Sequence, residues 1–180
     1  MSLIGLLLTL VTFPGVIVHE FAHKKACDYA DVPVLETCYF RIGTPAGYVR
    51  HLEPERYRES FIISVAPFFV NSVVGFGLLV GYAILEAGMA GGEGTLGSAS
   101  TLFLWLGISI GAHSFPSTGD ANTLWNRSRA ERKESPVVLL GVPIVVLIYL
   151  ANLLSRFYLD FLYAGIILLA AVASVGFLLG

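Results

Sequence analysis

The sequence predicts an all-α membrane protein of about five transmembrane helices, with a small β-hairpin after the first. Three observations predict this. Apolar residues are 56% of the 180 and charged residues only 13%, against roughly 45–50% and about 25% in soluble domains. The mean hydropathy is +0.76. Five stretches are long and apolar enough to cross a hydrocarbon core of roughly 30 Å, which takes about 20 residues as a helix. Such a chain cannot cover its surface with polar groups, so the lipid bilayer is its expected solvent.

The composition also excludes classes. A nucleic-acid binder needs a basic stripe, and here the formal net charge is −2. Cys27 and Cys38 make neither a disulfide framework nor a Cys-rich zinc site.

The spans fall at about 3–23, 60–85, 100–118, 136–154 and 157–179, within a single domain over 1–180. Pro14-Gly15 interrupts the first. That segment has no basic start and no small-residue cleavage site, so it is not a removable signal peptide. The second carries Gly77-x-x-x-Gly81, small residues that let helices approach closely inside the bundle. Lysine and arginine set the orientation. Lys24, Lys25, Arg41, Arg50, Arg56 and Arg58 follow the first span. Arg127, Arg129, Arg132 and Lys133 follow the third, and the Gly-rich connection after the second has none. The positive-inside rule makes the two basic loops cytoplasmic, which puts the N-terminus outside and the C-terminus inside.

The chemistry lies in the first span, in His19-Glu20-Phe21-Ala22-His23. On a helix, residues i and i+4 share a face, so both imidazoles can reach one metal ion, with the glutamate beside them as a general base. Chance would produce this HExxH pattern in roughly 0.004 chains of this length and composition. An interfacial collar with Lys24 and Lys25 would explain His23, but not His19 and Glu20 one turn deeper. Ionisable residues at such depth are costly, and they mark function.

A catalytic zinc site usually has about three protein ligands and an open position. His51 sits in a charged loop and is a surface residue. The candidates for the third ligand are Asp120 first and His113 second, both in His113-Ser-Phe-Pro-Ser-Thr-Gly-Asp120. The helical rise from Leu3 to His19 is about 24 Å, against about 30 Å from Ser100 to Asp120 and about 20 Å to His113. Either can therefore reach the histidine pair. Pro116 and Gly119 break the helix and aim Asp120 back toward it. The bland alternatives are an N-terminal cap for Asp120 and an interhelical hydrogen bond or a supporting polar role for His113. Asn71, near the middle of the second span, either bonds helix to helix or serves as a polar group beside metal or substrate.

This arrangement resembles the site-2 protease family of intramembrane zinc metalloproteases. The resemblance rests on His19, Glu20 and His23 in one span and Asp120 after two further crossings. Ala66-Pro67-Phe-Phe-Val-Asn71 is similar to a Gly-Pro-x-x-Asn element of that family, and Asp120-Ala121 stands where the family has Asp-Gly. The resemblance implies one Zn²⁺ per chain, Glu20 as catalytic base and His19, His23 and Asp120 as ligands. It implies hydrolysis of peptide bonds in membrane-associated protein substrates near the cytoplasmic face. The alternative is a non-catalytic membrane protein that keeps a zincin-like metal site for binding or regulation.

The hairpin is expected over about 35–51. Thr37, Tyr39, Phe40 and Ile42 are β-formers, and Gly43-Thr-Pro-Ala-Gly47 is a turn signal. In the family a similar strand pairs with unwound substrate. The other reading is a loop lying at the lipid interface on its aromatic residues.

Overall fold

The computed structural model describes residues 3–88, 95–131, 138, 141–155 and 158–179. The described chain is mostly helical: α1 (Leu3–Val11), α2 (Phe13–Tyr29), α3 (Tyr57–Gly88), α4 (Thr95–Gly111), α5 (Thr118–Glu131), α6 (Val142–Leu154) and α7 (Leu159–Leu179). Strands β1 (Val34–Cys38) and β2 (Tyr48–His51) form one antiparallel pair between α2 and α3. The expected starts of the fourth and fifth spans at 136–137 and 157, and Arg132 and Lys133 of the charge pattern, lie outside the described residues.

Of the five expected spans, α3 and α7 are helices long and apolar enough to cross a membrane. The α1–α2 pair makes a third if it is one broken span. α4 and α6 are apolar but shorter. Two boundaries differ from expectation for identifiable reasons. The first span is two helices bent by 73°. Pro14 sits in the first turn of α2; it lacks an N–H and its ring clashes with the preceding turn. α2 then runs on to Tyr29, where Asp31 turns the chain with a φ of 54°. The third span ends at Gly111 rather than at Thr118, and α5 begins only at Thr118. Gly119 therefore lies inside α5, and the break is confined to Ala112–Ser117.

α3 is the axis of the bundle and packs against α2, α4, α5 and α7. Of the Gly77-x-x-x-Gly81 pair, only Gly81 serves packing, against Phe103. A side chain at Gly77 would meet open space. The close approach of α3 to α4 uses other glycines: a Cβ on Gly75 would lie 3.2 Å from the Gly107 carbonyl and the Gly111 amide of α4. α5 is amphipathic. Ala121 and Leu124 are buried against Val145 and Ile148 of α6, with Tyr57 and Phe61 of α3 alongside. This packing fixes the first turn of α5, and with it Asp120.

The hairpin is close to expectation, with β1 beginning at Val34. Cys38 pairs with Tyr48 and Thr37 with Val49, and the register shifts between Val34 and Glu36. Glu36 accepts from the Tyr48 hydroxyl at 2.6 Å and pairs with Arg50 at 3.1 Å.

Candidate metal centre

α2 carries His19 and His23 on one face, with ring centroids 4.9 Å apart. The break after α4 brings the first turn of α5 to that face. One ligand atom each from His19, His23 and Asp120 lie within 4.8 Å of one another, so the three could hold a metal ion. The Nε2 of His23 is 3.6 Å from Oδ2 of Asp120.

Each imidazole is aimed by a backbone carbonyl. His19 bonds through Nδ1 to the His113 carbonyl at 2.8 Å, and His23 through Nδ1 to the Ile63 carbonyl at 2.9 Å. A carbonyl only accepts, so both Nδ1 atoms carry the proton and both Nε2 lone pairs are left for a metal. Bonds of this kind fix the tautomer and ring orientation of metal-ligating histidines.

Asp120 is aimed by its own helix start. Its Oδ2 accepts from the Ser117 amide at 2.7 Å and the Ser117 hydroxyl at 2.6 Å, and Ser117 Oγ accepts in turn from the Asp120 amide at 3.2 Å. This reciprocal pair is a capping box with aspartate in the glutamate place. The capping alternative and the ligand alternative are therefore met by one side chain. Burial opposes ionisation of Asp120, but His23 and the Ser117 donors outweigh it and hold the carboxyl below its ordinary value.

Glu20 is 9% exposed and lines the same cavity. Among the described residues nothing donates a hydrogen bond to its carboxylate. Gly47, at the end of the hairpin turn, closes over it: a Cβ there would lie 2.6 Å from Cγ of Glu20. A side chain at Gly47 would press on this carboxylate. The cavity measures about 740 Å³ and is walled by α1, α2, β2, the α4–α5 break and the α6–α7 junction.

His113 lies outside the group of three. Its ring lines the cavity and bonds through Nδ1 to the Ser109 carbonyl at 2.9 Å, while its own carbonyl holds His19. Asn71 is fully buried and bonds helix to helix. Its amide donates to the His113 carbonyl at 2.9 Å and to the Gly15 and Ile110 carbonyls at 3.3 Å each. It thereby braces the same carbonyl that aims His19. His51 lines the cavity mouth, and its Nδ1 bonds the Leu52 carbonyl at 2.7 Å.

Sequence reasoning missed four contributors. The Ile63 and His113 carbonyls carry no side-chain signal. Ser117 had one, the Ser-x-x-Asp spacing. Asp160, which lines the same cavity, also had one, as an ionisable residue at the start of an apolar span. No family model, characterised protein or solved structure matches this chain.

Proposed function

We propose that the protein is a zinc metalloendopeptidase of the membrane, a divergent relative of the site-2 proteases it resembles. One observation carries the reading: two imidazoles with their Nε2 atoms turned toward one carboxylate, beside Glu20, to whose carboxylate no described residue donates a hydrogen bond. Two nitrogens and one oxygen suit zinc, and a set of about three protein ligands leaves a position open for chemistry. A structural site would be closed by a fourth ligand, and it would have no use for Glu20.

Zinc held by His19, His23 and Asp120 would supply Lewis acidity toward water and the scissile carbonyl. Glu20 takes the proton from the attacking water and returns it to the leaving amine. The lack of a hydrogen-bond donor to it among the described residues suits a group that must gain and lose a proton. Gly47 and the hairpin turn limit the volume above it. Tyr48, Val49 and His51 of β2 line the cavity, so an unwound substrate can lie beside this strand through main-chain hydrogen bonds. This reading takes an outside N-terminus and cytoplasmic basic loops from the lysine and arginine pattern; the start of α7 meets the end of α4, with Ala164 beside Gly111, and α7 then runs parallel to α3 past Leu79, so the expected cytoplasmic C-terminus is not part of it. The hairpin and the scissile bond are then near the cytoplasmic face, and the substrates are membrane proteins.

The test is Glu20→Gln. The variant should retain bound zinc and thermal stability while cleavage of co-expressed single-span proteins falls by at least about 100-fold, in line with loss of a general base. Undiminished cleavage would remove Glu20 from the chemistry. Full zinc occupancy with no cleavage by the wild type across a broad panel would favour a non-catalytic metal protein.

A further inference from the structure

Beyond the last ladder pair, Cys38 with Tyr48, residues 39–47 fold into a clasped tip. The Arg41 amide donates to the Ala46 carbonyl at 2.6 Å, and Nε of Arg41 donates to the Pro45 carbonyl at 2.9 Å. The Arg41 guanidinium also lies over the Tyr48 ring, 5.1 Å from its centre. One side of this tip rests on the candidate base. A Cβ on Gly47 would lie 2.6 Å from Cγ and 3.1 Å from Oε1 of Glu20. The tip is also fastened to the first helix break. Phe40 packs on Phe13 at the start of α2 with ring centroids 5.6 Å apart, and Phe13 packs on Trp105 of α4 at 5.9 Å.

This seat conflicts with the way β2 would present a substrate. A peptide strand added to β2 needs a lane about 4.7–4.9 Å wide beside it. Where β2 leads back into the tip that lane is filled, since Gly47 already abuts the Glu20 side chain. A paired substrate therefore stops short of the base unless the tip withdraws. The ladder ends at Cys38 and Tyr48, so the clasped tip can turn about that pair without breaking a rung. An aromatic pair such as Phe40 with Phe13 shifts an equilibrium by up to about tenfold. That is enough to keep the tip down and little enough to be released.

We infer that the hairpin tip is a lid: seated on Glu20, it closes the base to protein substrates, and the contact of Phe40 with Phe13 is its latch. This rests on the reading of Glu20 as the base of a protease. The structure is then the closed, resting state. The apparent affinity for substrate is reduced in proportion to the fraction of molecules whose lid is up. Glycine at position 47 is what lets the lid seat, since any side chain there would hold the tip off the carboxylate.

Binding tests this apart from cleavage. Full-length protein in detergent is stripped of metal with a chelator, then titrated with labelled single-span peptides. Phe40→Ala frees the latch and should bind them more tightly than the wild type, by up to about tenfold. Locking the lid should do the opposite. In a Cys27→Ser, Cys38→Ser background, Glu20→Cys with Gly47→Cys puts a sulfur at the γ position of residue 20, within bonding reach of a seated residue 47. Mild oxidation should cross-link the pair. The oxidised form should then bind peptide at least about tenfold more weakly than the same sample after reduction. Cooperative thermal unfolding of the reduced form certifies its fold. If that fold is lost, amide exchange at Gly47 replaces the cross-link: Phe40→Ala should quicken it and leave Val49 unchanged. Equal affinities of the oxidised and reduced forms, or weaker binding by Phe40→Ala, would overturn the lid. Zinc is then added back to the wild type and to Phe40→Ala. Lid-dependent binding without cleavage by either would keep the lid and reject proteolysis; cleavage by the wild type with affinities indifferent to the lock would do the reverse.

Discussion

Between α1 and α2 the chain turns through 73° at Thr12, and between α4 and α5 it runs as irregular backbone from Ala112 to Ser117. Both interruptions have proline nearby, and both free backbone groups that lipid cannot satisfy. They dispose of those groups differently. At the first, neighbouring side chains seal the break. Ser109 accepts from the Gly15 amide at 3.0 Å and donates to the Thr12 carbonyl at 2.9 Å, and the Trp105 indole donates to the Val11 carbonyl at 2.9 Å. At the second, the freed groups aim side chains. The His113 carbonyl orients His19, and the Ser117 amide orients Asp120. The Pro116 carbonyl is tied to Asn152 of α6 at 2.9 Å. One break is consumed by packing and the other by the candidate metal centre. Asn71 joins them, since it donates to Gly15 and to His113 together.

The largest effect should come from testing that division at the second break. On the proposed reading Asp120→Ala removes a ligand atom, so zinc affinity should fall by more than about 100-fold, beyond what loss of a supporting bond costs. His113→Ala leaves the backbone carbonyl in place, so His19 keeps its orientation. Affinity should then change by less than about tenfold. Chelator competition on both purified variants measures this. If His113→Ala strips the metal and Asp120→Ala retains it, the ligand assignment is reversed.

The first break should respond in stability rather than in metal. A Cβ on Gly15 would overlap the Ser109 carbonyl and come within 2.5 Å of His113 Nδ1. The obstacle includes backbone, which yields less readily than the tip of a flexible side chain. Gly15→Ala should cost about 1–3 kcal/mol, toward the upper end for overpacking. Thermal unfolding in detergent reads that cost. Zinc per folded molecule should stay near that of the wild type. Loss of metal with no loss of stability would mean that the first break, too, sets the ligands.

The difference between the breaks explains what the sequence disclosed. HExxH spacing specifies a shared helical face, so His19, Glu20 and His23 could be placed from residue order alone. Asp120 was reachable because Pro116 and Gly119 announce a break in the helix near the depth of the histidine pair; the Ser117-x-x-Asp120 spacing, which announces the next helix start, was passed over. The expected helix through Thr118 overran because the hydropathy of Ala112, His113 and Phe115 does not register where backbone bonding stops. The carbonyls of Ile63 and His113 were invisible, since every residue has one and only tertiary contact selects these two. Gly75 with Gly107 and Gly111 was passed over for the more conspicuous Gly77 and Gly81. Which glycine faces a neighbour is a matter of helix rotation, and spacing does not encode it. Asp160 is far along the chain from HExxH, and only the closed bundle brings it to the cavity.

The smallest effect should come from the hairpin, whose antiparallel ladder is supplemented by the exposed Glu36, Tyr48 and Arg50 side chains. The hydrogen bond from Tyr48, and then that from Arg50, hold the Glu36 carboxyl below its ordinary value of 4.5. A carboxylate depressed on folding adds stability that is complete above its unfolded pKa and is lost as pH falls through its folded pKa. The contribution of Glu36 should therefore be present at neutral pH and disappear only below about pH 4.5. Solvent screens this pair, so the loss should be local and slight. Amide exchange at Thr37 and Val49 should quicken in acid while the bundle stays folded. Glu36→Gln should show that faster exchange already at pH 7, with little further acid response. Zinc affinity of Glu36→Gln at pH 7 should match the wild type, because the hairpin covers Glu20 through Gly47 and holds no ligand. A large fall in affinity in that variant would move the hairpin into the metal centre and end the division of labour between the two breaks.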